Sequence, residues 1–150
     1  MDVVSGDGKI YEARAAKMFY VPISAITKGS VLRDKSKISE LALGYEGSLG
    51  ALKRMGGERM GLSDTEMMSL VRKWRSANPA IVDMWKEIDE ASKEAVRYQR
   101  PVSCTCRNII FDCNGEFMTI QLPSGRKLFY YGPKFKDKKI GRSTMPTRVL

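Results

Sequence analysis

Arg33, Lys37, Leu41 and Tyr45 stand four residues apart in a chain of 150 residues. In a helix, four steps of about 100° bring each residue back to within ~40° of the last, so these side chains form one slowly turning stripe. Two cations, an apolar side chain and an aromatic ring, in that order, match a phosphate chain, a base and a stacked neighbour. That is the outline of a nucleotide. The same spacing also fits an ordinary amphipathic helix with a solvated basic end and a buried Leu41–Tyr45 end.

Charge favours the first reading without deciding it. The chain carries 26 Lys and Arg against 17 Asp and Glu, a formal charge of +9. Such a balance on a small protein favours a polyanionic partner, most simply nucleic acid. There is no histidine, which excludes His triads, a His general base and His metal sites. A composition of 43% hydrophobic and 29% charged residues is that of a folded globular protein, and the length suits a single domain over residues 1–150. No apolar stretch approaches the ~20 residues of a membrane helix. The run Met1-Asp2-Val3-Val4-Ser5-Gly6 lacks the basic start and apolar block of a secretory signal, so a cytoplasmic location is expected.

Other groupings of reactive side chains have plainer explanations. Cys104, Cys106 and Cys113 offer three thiolates where a structural zinc site wants four ligands, so they read as free, half-buried strand thiols and no metal site is expected. Asp83, Glu87, Asp89, Glu90 and Glu94 interleave with Lys86 and Lys93 at the spacing of salt-bridged, solvated helix faces. Trp74, Trp85, Ile81, Val82 and Ile88 recur at helical spacing and read as core. Gly6-Asp7-Gly8 lacks the strand context of a phosphate loop. Phe129, Tyr130 and Tyr131 precede the basic residues Lys134, Lys136, Lys138, Lys139 and Arg142. That segment can stack on and neutralise single-stranded nucleic acid, or it is sheet core beside a frayed tail.

The elements that must hold these groups are legible in outline. Residues 7–19 are rich in helix formers, and Val21-Pro22 ends that run. Ser30 is the natural N-cap of a second helix over residues 31–44, the one that carries the stripe. Ala51 to Met55 form a short connector helix that Gly56-Gly57 stops. Ser63-Asp64-Thr65-Glu66 is a capping box opening a helix to Ala77. Asn78-Pro79 then signals a helix to about Gln99, with Asn as cap and Pro at the first helical position. Beyond Pro101 the period changes to two. Asn114-Gly115 predicts a type I′ hairpin turn and Pro123-Ser124-Gly125 a second turn, giving a three-strand antiparallel meander to Tyr131. Residues 132–150 read as a basic tail. The expected class is α+β: a helical N-terminal two-thirds (1–101), then a small antiparallel sheet (102–131).

The run Arg33-Asp34-Lys35-Ser36-Lys37-Ile38-Ser39-Glu40-Leu41-Ala42-Leu43-Gly44-Tyr45-Glu46-Gly47 resembles the fingers-helix motif of family A DNA polymerases, an Arg, a Lys four on, and a Tyr eight further near a Gly. The form Glu-Leu-Ala-Leu-Gly-Tyr looks like the bacteriophage branch of that family. Gly8-Lys9-Ile10-Tyr11-Glu12-Ala13, Met18-Phe19-Tyr20-Val21-Pro22, Trp74 to Val82 with Trp85, and Leu122-Pro123-Ser124-Gly125-Arg126 are similar to successive parts of the same region. The resemblance implies that Arg33 and Lys37 contact the triphosphate of an incoming deoxynucleotide, with Lys37 assisting charge neutralisation or leaving-group protonation as the catalytic residue. It implies that Leu41 lies against base and sugar, and that Tyr45 stacks near the templating base and moves as the fingers close. Many family members carry an aromatic in place of Leu41, and many have Gly in place of Glu46.

The family's reaction uses two divalent metals, Mg2+ in the intact enzyme, held by Asp-containing motifs before and after the fingers. Neither motif is matched here. The resemblance therefore implies a polymerase fragment truncated on both sides, served in the intact enzyme by deoxynucleoside triphosphate and a DNA primer-template. Such a fragment is expected to bind no metal, to be inactive alone, to act in a bacterial host or phage-infected cell, and to be open to self-association through exposed apolar surface. The rival reading is a stand-alone basic module that binds nucleic acid or protein without enzymatic activity.

Overall fold

Every helix start that the sequence marks with a Ser cap is found at that residue. The computed structural model describes residues 9–104, 108–140 and 143–149, the last stretch from 136 onward by its backbone. Five α-helices lead: α1 (Ile10–Phe19), α2 (Val31–Leu43), α3 (Leu49–Arg54), α4 (Asp64–Ala77) and α5 (Pro79–Tyr98). Six strands follow: β1 (Val102–Cys104), β2 (Ile109–Cys113), β3 (Phe117–Gln121), β4 (Lys127–Tyr131), β5 (Phe135–Ile140) and β6 (Ser143–Val149). The class is α+β. The chain divides into two compact units, residues 1–82 and 83–150, with the boundary inside α5.

In the first unit α1, α2 and α4 pack on one another and α3 packs on α2 and α4. Their buried residues include Ala15, Met18, Leu43, Leu52, Met67, Leu70, Val71 and Trp74. Ser30 caps α2 by accepting from the Arg33 N–H. Ser63 and Glu66 form both halves of a capping box, a device of about 1 kcal/mol. The first helix stops at Tyr20, whose φ of 55° is left-handed and whose N–H returns to the Ala16 carbonyl. The turn is thus made one residue ahead of the expected Val21-Pro22 break.

Asn78 does not cap α5 in the way its position suggests. Its Oδ1 accepts from Arg14 at 2.9 Å and its Nδ2 donates to the Trp74 carbonyl at 2.8 Å, while its own carbonyl receives the N–H groups of Ile81 and Val82. The side chain is spent tying α1 to the end of α4. Proline at the next position lacks an N–H, so one orphan donor of the helix start is absent from the outset.

In the second unit the sheet has four strands in the order β1-β2-β3-β4, all antiparallel. The expected three-strand meander gains β1, because Val102 and Cys104 pair with Phe111 and Ile109. One face carries Cys104, Phe111, Cys113 and Met118 and packs with Ala91, Ala95 and Val96 of α5. The small residues on α5 let helix and sheet approach closely. The β2–β3 turn is not type I′. Gly115, with φ of +90°, is its first central residue and Asn114 precedes the pair, accepting from the N–H groups of Glu116 and Phe117. Type I′ needs positive φ at both central residues, and only Gly115 supplies it.

Residues 135–140 and 143–149, read from sequence as part of a basic tail, form the antiparallel pair β5–β6 with a register shift at Lys136/Asp137. Low apolar content misled the reading, since a ladder of backbone hydrogen bonds needs no apolar side chain of its own. Phe135, at the start of β5, packs against the core of the second unit.

One glycine fixes the exit from α2. A Cβ on Gly47 would lie 1.8 Å from the Ala42 carbonyl oxygen, which is backbone and cannot rotate away. Gly47→Ala is therefore expected to destabilise the chain by about 2–3 kcal/mol, read as a lower urea midpoint with an unchanged slope.

Candidate nucleotide-binding helix

Helix α2 presents two unlike sides. Ser36, Ser39, Ala42 and Leu43 are buried, and their three- and four-residue spacing defines the side turned into the unit. Small side chains dominate there, and the Ser39 hydroxyl closes onto the Lys35 carbonyl at 2.8 Å. The rotation of the helix about its axis is set by Glu40. Its Oε2 accepts from the Trp74 indole N–H at 2.9 Å, and its Oε1 lies 3.2 Å from Arg14 Nε. Trp74 is a core residue, 1% exposed, whereas Ile81, Val82, Trp85 and Ile88, read from sequence as core with it, are half-buried. Arg75 Nη2 donates to the Gly47 carbonyl at 3.3 Å, tying α4 to the loop beyond α2.

Arg33, Lys37 and Leu41 stand elsewhere on α2, whereas Tyr45, expected on the same helix, lies in the turn past its end at Leu43, because α2 is capped at Gly44. Arg33 and Lys37 lie over the same ring, that of Tyr11, at 5.4 Å and 5.9 Å from its centroid. The two cations therefore share one side of α2. Leu41 is 47% exposed and Tyr45 93% exposed. The ordinary amphipathic alternative buries these two; the structure leaves both in solvent. Leaving Leu41 half in solvent forgoes about 1 kcal/mol of burial, and Tyr45 is almost wholly outside the core, so core formation is not what places them.

Arg33 differs from Lys37 in being held. Its Nε donates to Glu12 Oε1 at 2.6 Å, with both side chains largely covered. Glu12 Oε2 is buried with no hydrogen-bond partner among the described residues, so Arg33 is the principal compensation for that carboxylate. The Arg33 hydrogen bond, joined by a backbone hydrogen bond, holds the Glu12 carboxyl below its ordinary value of 4.5, against a smaller upward push from burial. Lys37 is exposed.

Sequence reasoning missed Tyr11, Glu12 and Glu40 as parts of this arrangement. Only Tyr11 and Glu12 left a signal, as neighbours on a helix rich in polar residues; nothing local pairs them with α2. The end of α2 carries a further feature. Glu46, where the resembled family often has Gly, adopts a φ of 61°, the left-handed region that glycine enters freely and other residues enter at a cost of about 1–2 kcal/mol.

The remaining sequence-predicted groups lie in the second unit. Lys134 is exposed just before β5. Lys136, Lys138 and Lys139 lie on β5, with side chains outside the described residues, and Arg142 is itself outside them. Cys104 and Cys113 are thiols buried in the sheet core; Cys106 and Gly6-Asp7-Gly8 fall outside the described residues. On α5, Asp83 pairs with Lys86 and Asp89 with Lys93, the salt-bridged pattern expected of it. No three His, Cys, Asp or Glu side chains gather into a metal-holding group among the described residues. No helix among them is long and apolar enough to cross a membrane.

Against known proteins, the chain is 44% identical over 146 residues, 97% of its length, to a DNA polymerase of Bacillus phage SP02. It is similar to one region of a phage DNA polymerase. The chain spans 22% of that relative's length. No family model matches the chain, and no solved structure matches it. The aligned stretch takes in nearly the whole chain, so it includes the helices of the first unit and the sheet of the second.

The Glu12–Arg33 pair has a defined pH signature. A carboxylate whose folded pKa is depressed adds stability above its unfolded value and loses it as pH falls through the folded one. The melting-temperature difference between the chain and its Glu12→Gln variant is expected to be full at pH 7. It should shrink as pH drops below the ordinary value of 4.5, which thermal melts across that range would measure.

Proposed function

We propose that this chain supplies the incoming-nucleotide helix of a phage-type family A DNA polymerase, its fingers region, and serves template-directed nucleotidyl transfer. The observation that carries the reading is the shared side of α2: Arg33 and Lys37 over one ring, followed by the exposed Leu41 and Tyr45. The 44% identity to a phage DNA polymerase region supports it independently.

In this reading Lys37 meets the triphosphate as a mobile point charge, while Arg33, whose Nε is taken by Glu12, offers its terminal Nη atoms in a fixed orientation. The contrast is useful chemically. A held guanidinium orients the phosphates at little entropic cost, and a flexible ammonium follows the charge that builds on the leaving group. Leu41 provides an apolar surface for base and sugar, and Tyr45, at the helix end, a ring that stacks beside the templating base. Divalent metal ions supply the activation of attacking and leaving oxygens in such enzymes; the described residues gather no ligand set for them, and no step here is assigned to a metal.

Titration of the chain with a deoxynucleoside triphosphate tests this. Lys37→Ala and Arg33→Ala are each expected to weaken binding about tenfold or more, the value of a charge-assisted phosphate contact. Arg54→Ala, an exposed cation on α3, should leave affinity unchanged. Equal losses for all three would reduce the stripe to general electrostatics. Melting curves recorded alongside separate lost binding from the loss of the Glu12 partner in Arg33→Ala.

A further inference from the structure

The second unit contains a surface that the nucleotide helix does not account for. The face of the β1–β4 sheet opposite its core carries Ile110 and Asp112 from β2, Phe117, Thr119 and Gln121 from β3, and Lys127, Phe129 and Tyr131 from β4, since alternate residues share a face. Tyr130, grouped from sequence with Phe129 and Tyr131, pairs with Met118 and so belongs to the core face. Its place among the aromatics is taken by Phe117, whose ring meets Tyr131 edge to face at 5.3 Å. Phe129 is 66% exposed and Tyr131 76% exposed.

We propose that this face is a stacking platform for single-stranded DNA. Three rings on one sheet face, Phe129 and Tyr131 exposed and Phe117 half-buried, match the π-faces of nucleobases, which every base offers regardless of sequence. Phe129 and Tyr131 are two residues apart on one strand, about 6.6 Å by strand rise. That is twice the ~3.4 Å between stacked bases in a duplex, so the rings suit bases already separated from their neighbours. Bases inside a duplex cannot reach them. The cations needed for the backbone sit beside the rings: Lys127 lies on the face, and Arg126 and Lys134, both exposed, flank β4. Against them the face sets one carboxylate, Asp112, across the sheet from Phe129. The choice of DNA rests on the polymerase reading, where an unpaired template strand is the natural occupant.

The test is direct binding of the 150-residue chain to a labelled oligothymidylate of about twenty nucleotides and to a duplex of the same length, at several salt concentrations. The single strand should bind more tightly than the duplex. Phe129→Ala and Tyr131→Ala should each weaken it about 5- to 150-fold, the cost of one lost base–aromatic stack, while Tyr131→Trp restores it. Lys127→Ala should weaken binding and lower its salt dependence. Phe129→Ala should melt as the parent does, and Tyr131→Ala, which also loses the contact with Phe117, should remain folded with only a slightly lower melting temperature. Tyr20→Ala, which removes an exposed ring in the first unit, should change nothing. Unchanged affinity in the Phe129 and Tyr131 variants, equal binding of duplex, or no binding by the parent chain overturns the proposal. So does a self-associated species that the same two substitutions dissociate, since a second copy would then be the occupant. Arg54→Ala should leave oligothymidylate binding intact, and this binding is read with no deoxynucleotide present, so failure here and failure of the nucleotide helix are read separately.

Discussion

The first unit is organised by one carboxylate. Glu40 on α2 accepts from the Trp74 indole of α4 and faces Arg14 of α1, and Arg14 continues to Asn78. Three helices thus converge on a polar junction at the edge of an apolar core. An indole N–H or a carboxylate left without its partner there would cost about 1–3 kcal/mol, so a rotation of α2 that breaks the junction is opposed at two points at once. Packing of Ser36, Ser39, Ala42 and Leu43 alone would tolerate some rolling of the helix, because small side chains make shallow contacts. The junction removes that freedom, and with it decides which residues of α2 face outward.

What faces outward is a stripe whose two cations are treated differently. Arg33 is locked by Glu12, and Lys37 shares the Tyr11 ring without that lock. A locked guanidinium loses little further freedom when it meets an anion. Glu12 also competes with any anion for Arg33, so the arrangement trades some positive potential for orientation. The exposed Leu41, on α2, and Tyr45, in the turn just past its end, then extend the surface from charge to apolar contact.

Much of the fold was legible because its signals are local. Caps at Ser30 and Ser63 act within one turn, and the period of hydrophobic residues distinguishes α5 from the strands, although α5 ends at Tyr98, where Gln99 turns left-handed ahead of Pro101. The misreadings all concern longer reach. Asn78 has the residue type of a cap, but a partner on α1, 64 residues away, takes its side chain. Asn114-Gly115 has the composition of one turn and the register of another, because the pairing of Cys113 with Met118 places Asn114 outside the central positions. The strands β5 and β6 were hidden because their pairing is a backbone property that a basic composition conceals.

By itself the sequence determined the helix that bears Arg33, Lys37 and Leu41, since its period of 3.6 residues and its cap at Ser30 are local, but not its end at Leu43, which leaves Tyr45 in the following turn. Tertiary structure alone decided that Leu41 and Tyr45 remain in solvent, that Glu12 restrains Arg33, and that Phe117, not Tyr130, joins Phe129 and Tyr131 on the open sheet face. Each of those depends on contacts between segments distant along the chain. Exposure, ion pairing and strand register arise only when the segments meet, and no local pattern encodes which surfaces they will cover.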